Sequence, residues 1–280
     1  MLYIGNEVSG MVGGVATVVE HADKAGLFNF WPSANSAEVI AFIAAAITMM
    51  FGSMPQQDVF QRVQSSSTIF TAVWATVLGG VLYFLFAFVP MFLAYSATLI
   101  DPEKVKQIMD IDYQLVLPNL VLNHAPLLAQ VLFFGALLSA IKSSASATLL
   151  APSVTFTENI LRPFMPAMDE VKLLKVMRLV TLSFAVIVTI YAMYSESSIF
   201  KMVEDAYQVT LVTAFVPLVC GVYWKRATNQ GALFAIGFGL FTWLGVMLFG
   251  AEEPYVPAHL AGLVASIIGM IVGTLLPQRI

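Results

Sequence analysis

The chain has 280 residues, of which 59% are hydrophobic and only 11% charged, with a mean hydropathy of +0.85. A soluble globular domain carries about 25% charged residues, so this chain cannot cover a water-facing surface and reads as an integral membrane protein. A net charge of −4 with a pI near 5.3 gives no basic surface for nucleic acid, and a single cysteine, Cys220, excludes an intramolecular disulfide.

Taken in order, residues 1–36 are mixed: the apolar start at 1–4 is too short to cross a bilayer, and glycines, Pro32 and scattered acids follow. No basic region leading into a long apolar core marks a signal peptide. Residues 37–51 form the first and shortest predicted span, which suggests a helix that is interrupted or covered by neighbouring protein rather than lipid. The chain then turns polar over 52–67. Asp58 and Arg62 stand four apart there, able to pair on a short interfacial helix or to remain solvated in a loop.

Residues 68–99 make a long span, with Gly79, Gly80 and Pro90 available to bend it or let it pack tightly. Six charged residues lie within 101–112, and the chain returns through Pro118 and Pro126 in what reads as its longest loop. His124 falls there as a loop or interface histidine, with a proton relay as the alternative. A central helix is predicted over 127–150, Pro152 marking its exit or a kink. After a polar stretch at 158–178, further spans follow at 179–194, 200–224, 233–250 and 258–277, seven in all.

Lysine and arginine concentrate on cytoplasmic flanks. Alternating the loops puts Arg62, Arg162, Lys172, Lys175, Arg178, Lys225, Arg226 and Arg279 on one side, and Lys24, Lys104, Lys106 and Lys201 on the other. The first side is predicted to be cytoplasmic, with the amino terminus outside and the carboxyl terminus inside. Acids follow the opposite trend, Glu252, Glu253 and the 101–112 segment facing out.

The most informative stretch is LLSAIKSSASATLLAPSVT at residues 137–155, a polar patch inside an apolar helix. Hydroxyls and an ammonium in hydrocarbon must find partners, because leaving them unsatisfied costs free energy. On a helix, Ala140, Ser143 and Ser144 stand at i, i+3 and i+4, so two hydroxyls and a carbonyl converge on one face. Neutral oxygens so placed suit a small hard cation completed by another helix. The same small residues, in ladders such as Ser139, Ser143 and Ala147, equally suit close helix packing. Spacing alone serves either use.

This patch, together with GSMPQQDVFQRV at residues 52–63, resembles the sodium:solute symporter family, in particular its Na+/proline type. The family's A-x-x-S-[ST] sodium half-site corresponds here to Ala140, Ser143 and Ser144. The resemblance implies an all-α integral membrane fold: the second inverted repeat of a LeuT-like (APC) fold plus peripheral helices, about seven transmembrane helices over 37–280. Residues 1–36 then become the tail of a preceding helix and an extracellular loop. The first repeat is absent, so the chain reads as a fragment whose missing amino-terminal helices are partners. An amino terminus placed outside without a signal agrees with that.

The implied function is sodium-coupled symport of a small organic solute, an amino acid, carboxylate or similar, across the cytoplasmic membrane, with Na+ as the coupling ion. Lys142 lies about 200° around the helix from Ala140, opposite the serine face, and family members more often carry an apolar residue there. It snorkels, finds an acid or meets an anionic substrate. Glu204, Asp205, Tyr207 and Gln208 form a second cluster where the resemblance places the substrate cavity, Tyr207 and Gln208 being the candidate substrate contacts. The two acids also fit the start of a helix, whose positive end favours them. Trp74, Trp224 and Trp243 read as interface anchors and packing. No HExxH, P-loop or nucleophile elbow points to an enzyme. Two other functions fit the same residues: a sensor or scaffold that keeps the fold without transport, and sodium-independent or proton-coupled transport through Lys142.

Overall fold

The computed structural model describes residues 1–32, 35–165, 169–195, 197–250 and 255–278, without the side chains of Gln57, Asp58, Gln61 and Arg62. The expected Asp58–Arg62 pair, and Glu252, Glu253 and Arg279, therefore lie outside the described residues. Among the described residues the chain is helical throughout and has no strand. The helices are α1 (Leu2–Met11), α2 (Val15–Lys24), α3 (Ser36–Phe51), α4 (Gln57–Gln64), α5 (Ile69–Ile100), α6 (Pro102–Asp112), α7 (Val116–His124), α8 (Leu127–Thr155), α9 (Arg162–Phe164), α10 (Glu170–Tyr194), α11 (Ile199–Thr210), α12 (Val216–Tyr223), α13 (Asn229–Phe249) and α14 (Ala258–Leu275). Two π-helical turns, Phe156–Leu161 and Leu211–Phe215, join α8 to α9 and α11 to α12.

Six helical stretches are long and apolar enough to cross a membrane: Ile69–Ile100, Leu127–Phe164, Glu170–Tyr194, Ile199–Tyr223, Asn229–Phe249 and Ala258–Leu275. They coincide with six of the seven spans expected from the sequence. The seventh, α3, has 16 residues, about 24 Å of helix against about 30 Å of hydrocarbon. At the amino terminus, where the sequence suggested only a helix tail and loop, α1 and α2 form a pair bent by 76°. Together they could make one further span by length and composition.

Several starts follow simple chemistry. Thr68, Asp101, Asp169, Ser198 and Thr228 each accept a backbone N–H of the first turn through the side chain, occupying a donor that the helix leaves unpaired. Asp101 with Pro102 is such a start, and the stretch read as the longest loop is largely α6 and α7. Pro152 does not end its helix. α8 continues to Thr155, and the Ser153 hydroxyl donates to the Leu149 carbonyl of its own helix at 2.6 Å.

The chain divides into two units, Met1–Phe28 with Ser66–Glu196, and Asn29–Ser65 with Ser197–Ile280. In the first, Ile4 and Val8 of α1, Leu93 and Ala97 of α5, Leu120 and Val121 of α7 and Ala129 of α8 make one buried cluster. His21 of α2 is tied to Thr98 of α5, Nε2 to Oγ1, at 3.2 Å.

The second unit is built on close approach. In lipid, apolar contact between helices gains little over contact with acyl chains, so backbone proximity at small residues has to supply the packing. A Cβ added to Gly269 would lie 2.6 Å from the Phe234 carbonyl oxygen, and one added to Gly273 would lie 2.9 Å from the Gly231 Cα. At Gly239 it would meet the Val212 carbonyl oxygen of the second π turn well inside 3.0 Å, and at Gly262 the Val212 Cγ1 at 2.8 Å. The α13–α14 pair thus presents a glycine-lined notch to that turn. These glycines are contact points, whereas Gly79 and Gly80 of α5, offered by the sequence for bending or tight packing, have nothing within 4 Å.

Candidate functional site

The polar patch of the first unit lies in the middle of α8, where Ala140, Lys142, Ser143 and Ser144 are all exposed. The exposed stretch is continuous from Gly135 to Ser146. The hydroxyls of Ser143 and Ser144 have no hydrogen-bond partner among the described residues. Thr148, one turn on, donates to the Ser144 carbonyl at 2.9 Å. The i, i+3, i+4 register holds, since α8 is unbroken here. Two free hydroxyls and a carbonyl on one face can coordinate a cation or receive a close-packed helix. Lys142 forms no ion pair among the described residues.

In the second unit, the expected cluster on α11 is largely tied up internally. Helix α11 starts at Ile199 with Ser198 as its cap, so Glu204 and Asp205 fall in its second turn rather than at its positive end. Lys201 pairs with both, Nζ lying 3.0 Å from Glu204 Oε2 and 3.2 Å from Asp205 Oδ1. Gln208 is buried, its amide nitrogen donating to Glu204 Oε1 and its oxygen accepting from the Trp243 indole, both at 3.4 Å. Trp243 is therefore a half-buried hydrogen-bond donor as well as packing. Tyr207 is half-buried.

The polar motif after α3 also gains a role. The Thr210 hydroxyl donates to the Gly52 carbonyl at 2.6 Å and accepts from the Gln56 amide at 3.3 Å. A Cβ on Gly52 would fall within 3.0 Å of both the Tyr207 and Thr48 carbonyl oxygens. The motif thus clamps the end of α3 to α11, a role that needs glycine at 52. Thr210→Val is expected to cost about 1–2 kcal/mol by orphaning these partners. The midpoint of thermal unfolding in detergent should fall, and an unchanged midpoint would show that the clamp adds nothing.

The residue that sequence reasoning missed is His259, which opens α14 and is 8% exposed. The available signal was a lone imidazole in an otherwise apolar span.

Long apolar helices bearing a few sequestered polar groups define a multi-pass membrane protein. The family model for the sodium:solute symporter family matches residues 5–239, and the chain belongs to that family. Among similar proteins, the high affinity choline transporter 1 of Homo sapiens is 26% identical over 239 residues, covering 79% of this chain and 38% of that protein. The sodium/pantothenate symporter of Escherichia coli is 29% identical over 160 residues, 55% of this chain and 33% of its own length. The osmoregulated proline transporter of Bacillus subtilis is 28% identical over 277 residues, 92% of this chain and 53% of its own. The chain thus spans about a third to a half of the length of these relatives.

Proposed function

We propose that this chain is the carboxyl-terminal part of a sodium-coupled symporter that carries a small organic solute across the cytoplasmic membrane. In this reading the Ala140 carbonyl and the Ser143 and Ser144 hydroxyls are half of a Na+ site. The other half comes from amino-terminal helices of the same protein, which cover the bare middle of α8. The observation that carries the reading is the pair of unpartnered hydroxyls at A-x-x-S-S, on an exposed helix of a chain in this family. The described helices are then the second inverted repeat of a LeuT-like fold with α13 and α14 peripheral, the amino terminus outside and the carboxyl terminus cytoplasmic. Sodium bound there favours the outward-open state and so raises solute affinity.

Tyr207 on α11 and Lys142 on α8 are assigned to substrate. Gln208, with both ends of its amide engaged, positions α11 instead of contacting solute directly. Relatives named for choline, pantothenate and proline support a small charged or zwitterionic solute. The test is uptake of labelled proline, pantothenate and choline into vesicles containing the complete protein, driven by an inward Na+ gradient or by an equal K+ gradient. At least one solute should enter about tenfold faster with Na+. Equal uptake in the two salts for every accumulated solute would overturn the reading.

A further inference from the structure

Helix α10 carries three cations, Lys172, Lys175 and Arg178, and one acid, Glu170. The three cations are exposed and form no ion pair among the described residues. Asp169, just before the helix, caps it, its carboxylate accepting the Lys172 backbone N–H at 2.9 Å. The nearest preceding cation, Arg162, is paired with Glu158.

The cations share one face. Taking Lys172 as zero and 100° per residue, Lys175 and Arg178 lie at about 300° and 240°, so the three occupy an arc of about 120°. The half-buried residues of α10, among them Leu173, Val180 and Phe184, fall between about 40° and 220°. Phe184 marks that packed side, meeting Phe156 edge-on with 5.8 Å between ring centroids. The cations therefore stand on the face turned away from the rest of the unit. Further along the same arc lie Leu179, Leu182, Val186, Ile190 and Met193, each between 50% and 76% exposed. At 1.5 Å per residue this apolar strip is about 21 Å long, more than the roughly 15 Å depth of hydrocarbon in one leaflet.

We propose that this face of α10 binds a phospholipid with an anionic headgroup. The phosphate is held by Lys172, Lys175 and Arg178, and an acyl chain lies along the strip from Leu179 to Met193. Charge and shape together choose this occupant. A soluble phosphate answers the cations but leaves the apolar strip in contact with nothing of its own, and a neutral lipid does the reverse. A covering helix has to bring acids of its own, because burying three unpaired cations is costly. Arg178, next to Leu179 at the foot of the cluster, offers the planar fork that grips two phosphate oxygens, and the lysines add point charges above it. Orientation in the membrane depends on how many cations lie on one side and does not require them to share a face. The site stands without sodium coupling and without the hydroxyl pair on α8.

The test is native mass spectrometry of the complete protein in detergent, titrated with phosphatidylglycerol or with phosphatidylcholine of the same acyl chains. The first phosphatidylglycerol should bind about tenfold or more tightly than the first phosphatidylcholine. Each lysine near an anionic surface is worth about fivefold, so Lys172→Gln with Lys175→Gln should weaken phosphatidylglycerol about 25-fold and leave phosphatidylcholine as it was. Lys104→Gln with Lys106→Gln removes the same charge from α6, where two exposed lysines lie among acids, and should change neither lipid by more than about twofold. Glycerophosphoglycerol, the headgroup without its chains, should not compete at equal concentration. Equal affinity for the two lipids, an unchanged affinity in the α10 variant, the same loss in the α6 variant, or displacement by the free headgroup would each overturn the proposal. The unsubstituted protein decides the first and last of these, whether or not the variants fold.

Discussion

Alanine at both Ser143 and Ser144 is expected to raise the Na+ concentration for half-maximal uptake by about tenfold or more in the complete protein. Removing an oxygen partner from a charged group costs about 1.5–3 kcal/mol, and each 1.4 kcal/mol is about tenfold in affinity. Folding should be unaffected, since neither hydroxyl has a hydrogen-bond partner among the described residues and alanine is the better helix former. The pair separates coordination from packing. If these positions only seat another helix, the small-to-small change leaves sodium activation as it was while the thermal midpoint moves slightly. Ser183→Ala on α10, where an exposed hydroxyl bonds the Leu179 carbonyl of its own helix, is the matched control. An unchanged sodium dependence in the double variant would remove the assignment of the site.

The second large effect is structural. Gly239→Ala places a methyl against the Val212 carbonyl, with the Ser266 Cβ 3.0 Å away, and neither neighbour is the tip of a flexible side chain. Forcing extra carbon into such a contact costs about 1–3 kcal/mol, enough to raise the unfolded fraction by about five- to 150-fold. Cys220 is the only cysteine and packs against the cluster of Leu211, Val216, Ala235, Leu263 and Met270, so its reaction with a thiol probe reports loss of this unit's packing. Labelling should begin at a clearly lower temperature in Gly239→Ala. Gly237→Ala, on the same helix with nothing within 4 Å, should match the parent or exceed it slightly. Equal labelling curves for Gly239→Ala and Gly237→Ala would show that the notch does not constrain the π turn.

Hydropathy made six long helices legible, because a bilayer demands long apolar runs and the chain supplies them. What it obscured was helix outside the apolar runs. The Asp101–Pro102 start of α6 was readable as a cap followed by a first-turn proline, but the charge of residues 101–112 drew attention to solvent instead. Pro152 was read as an exit or a kink, whereas α8 runs through it to Thr155. The spacing of Ala140, Ser143 and Ser144 came directly from the sequence, since a helical register needs no tertiary information. The Gln208–Trp243 pair did not, because its members come from two different helices and only folding brings them together. Glu204 and Asp205 were visible as charges, but their shared pairing with Lys201 depended on all three lying on one continuous helix.

The widened turn Leu211–Phe215 also changes how this helix is to be compared with others. An i→i+5 turn holds one residue more than an α-helical turn, so every position from Val216 to Tyr223 is rotated by about 100° from where a wheel drawn from Ile199 would put it. Aligning α11 and α12 with a relative that lacks the turn needs a single-position gap near Thr213. Without that gap, the positions over the last two turns are compared a little more than a quarter turn out of register.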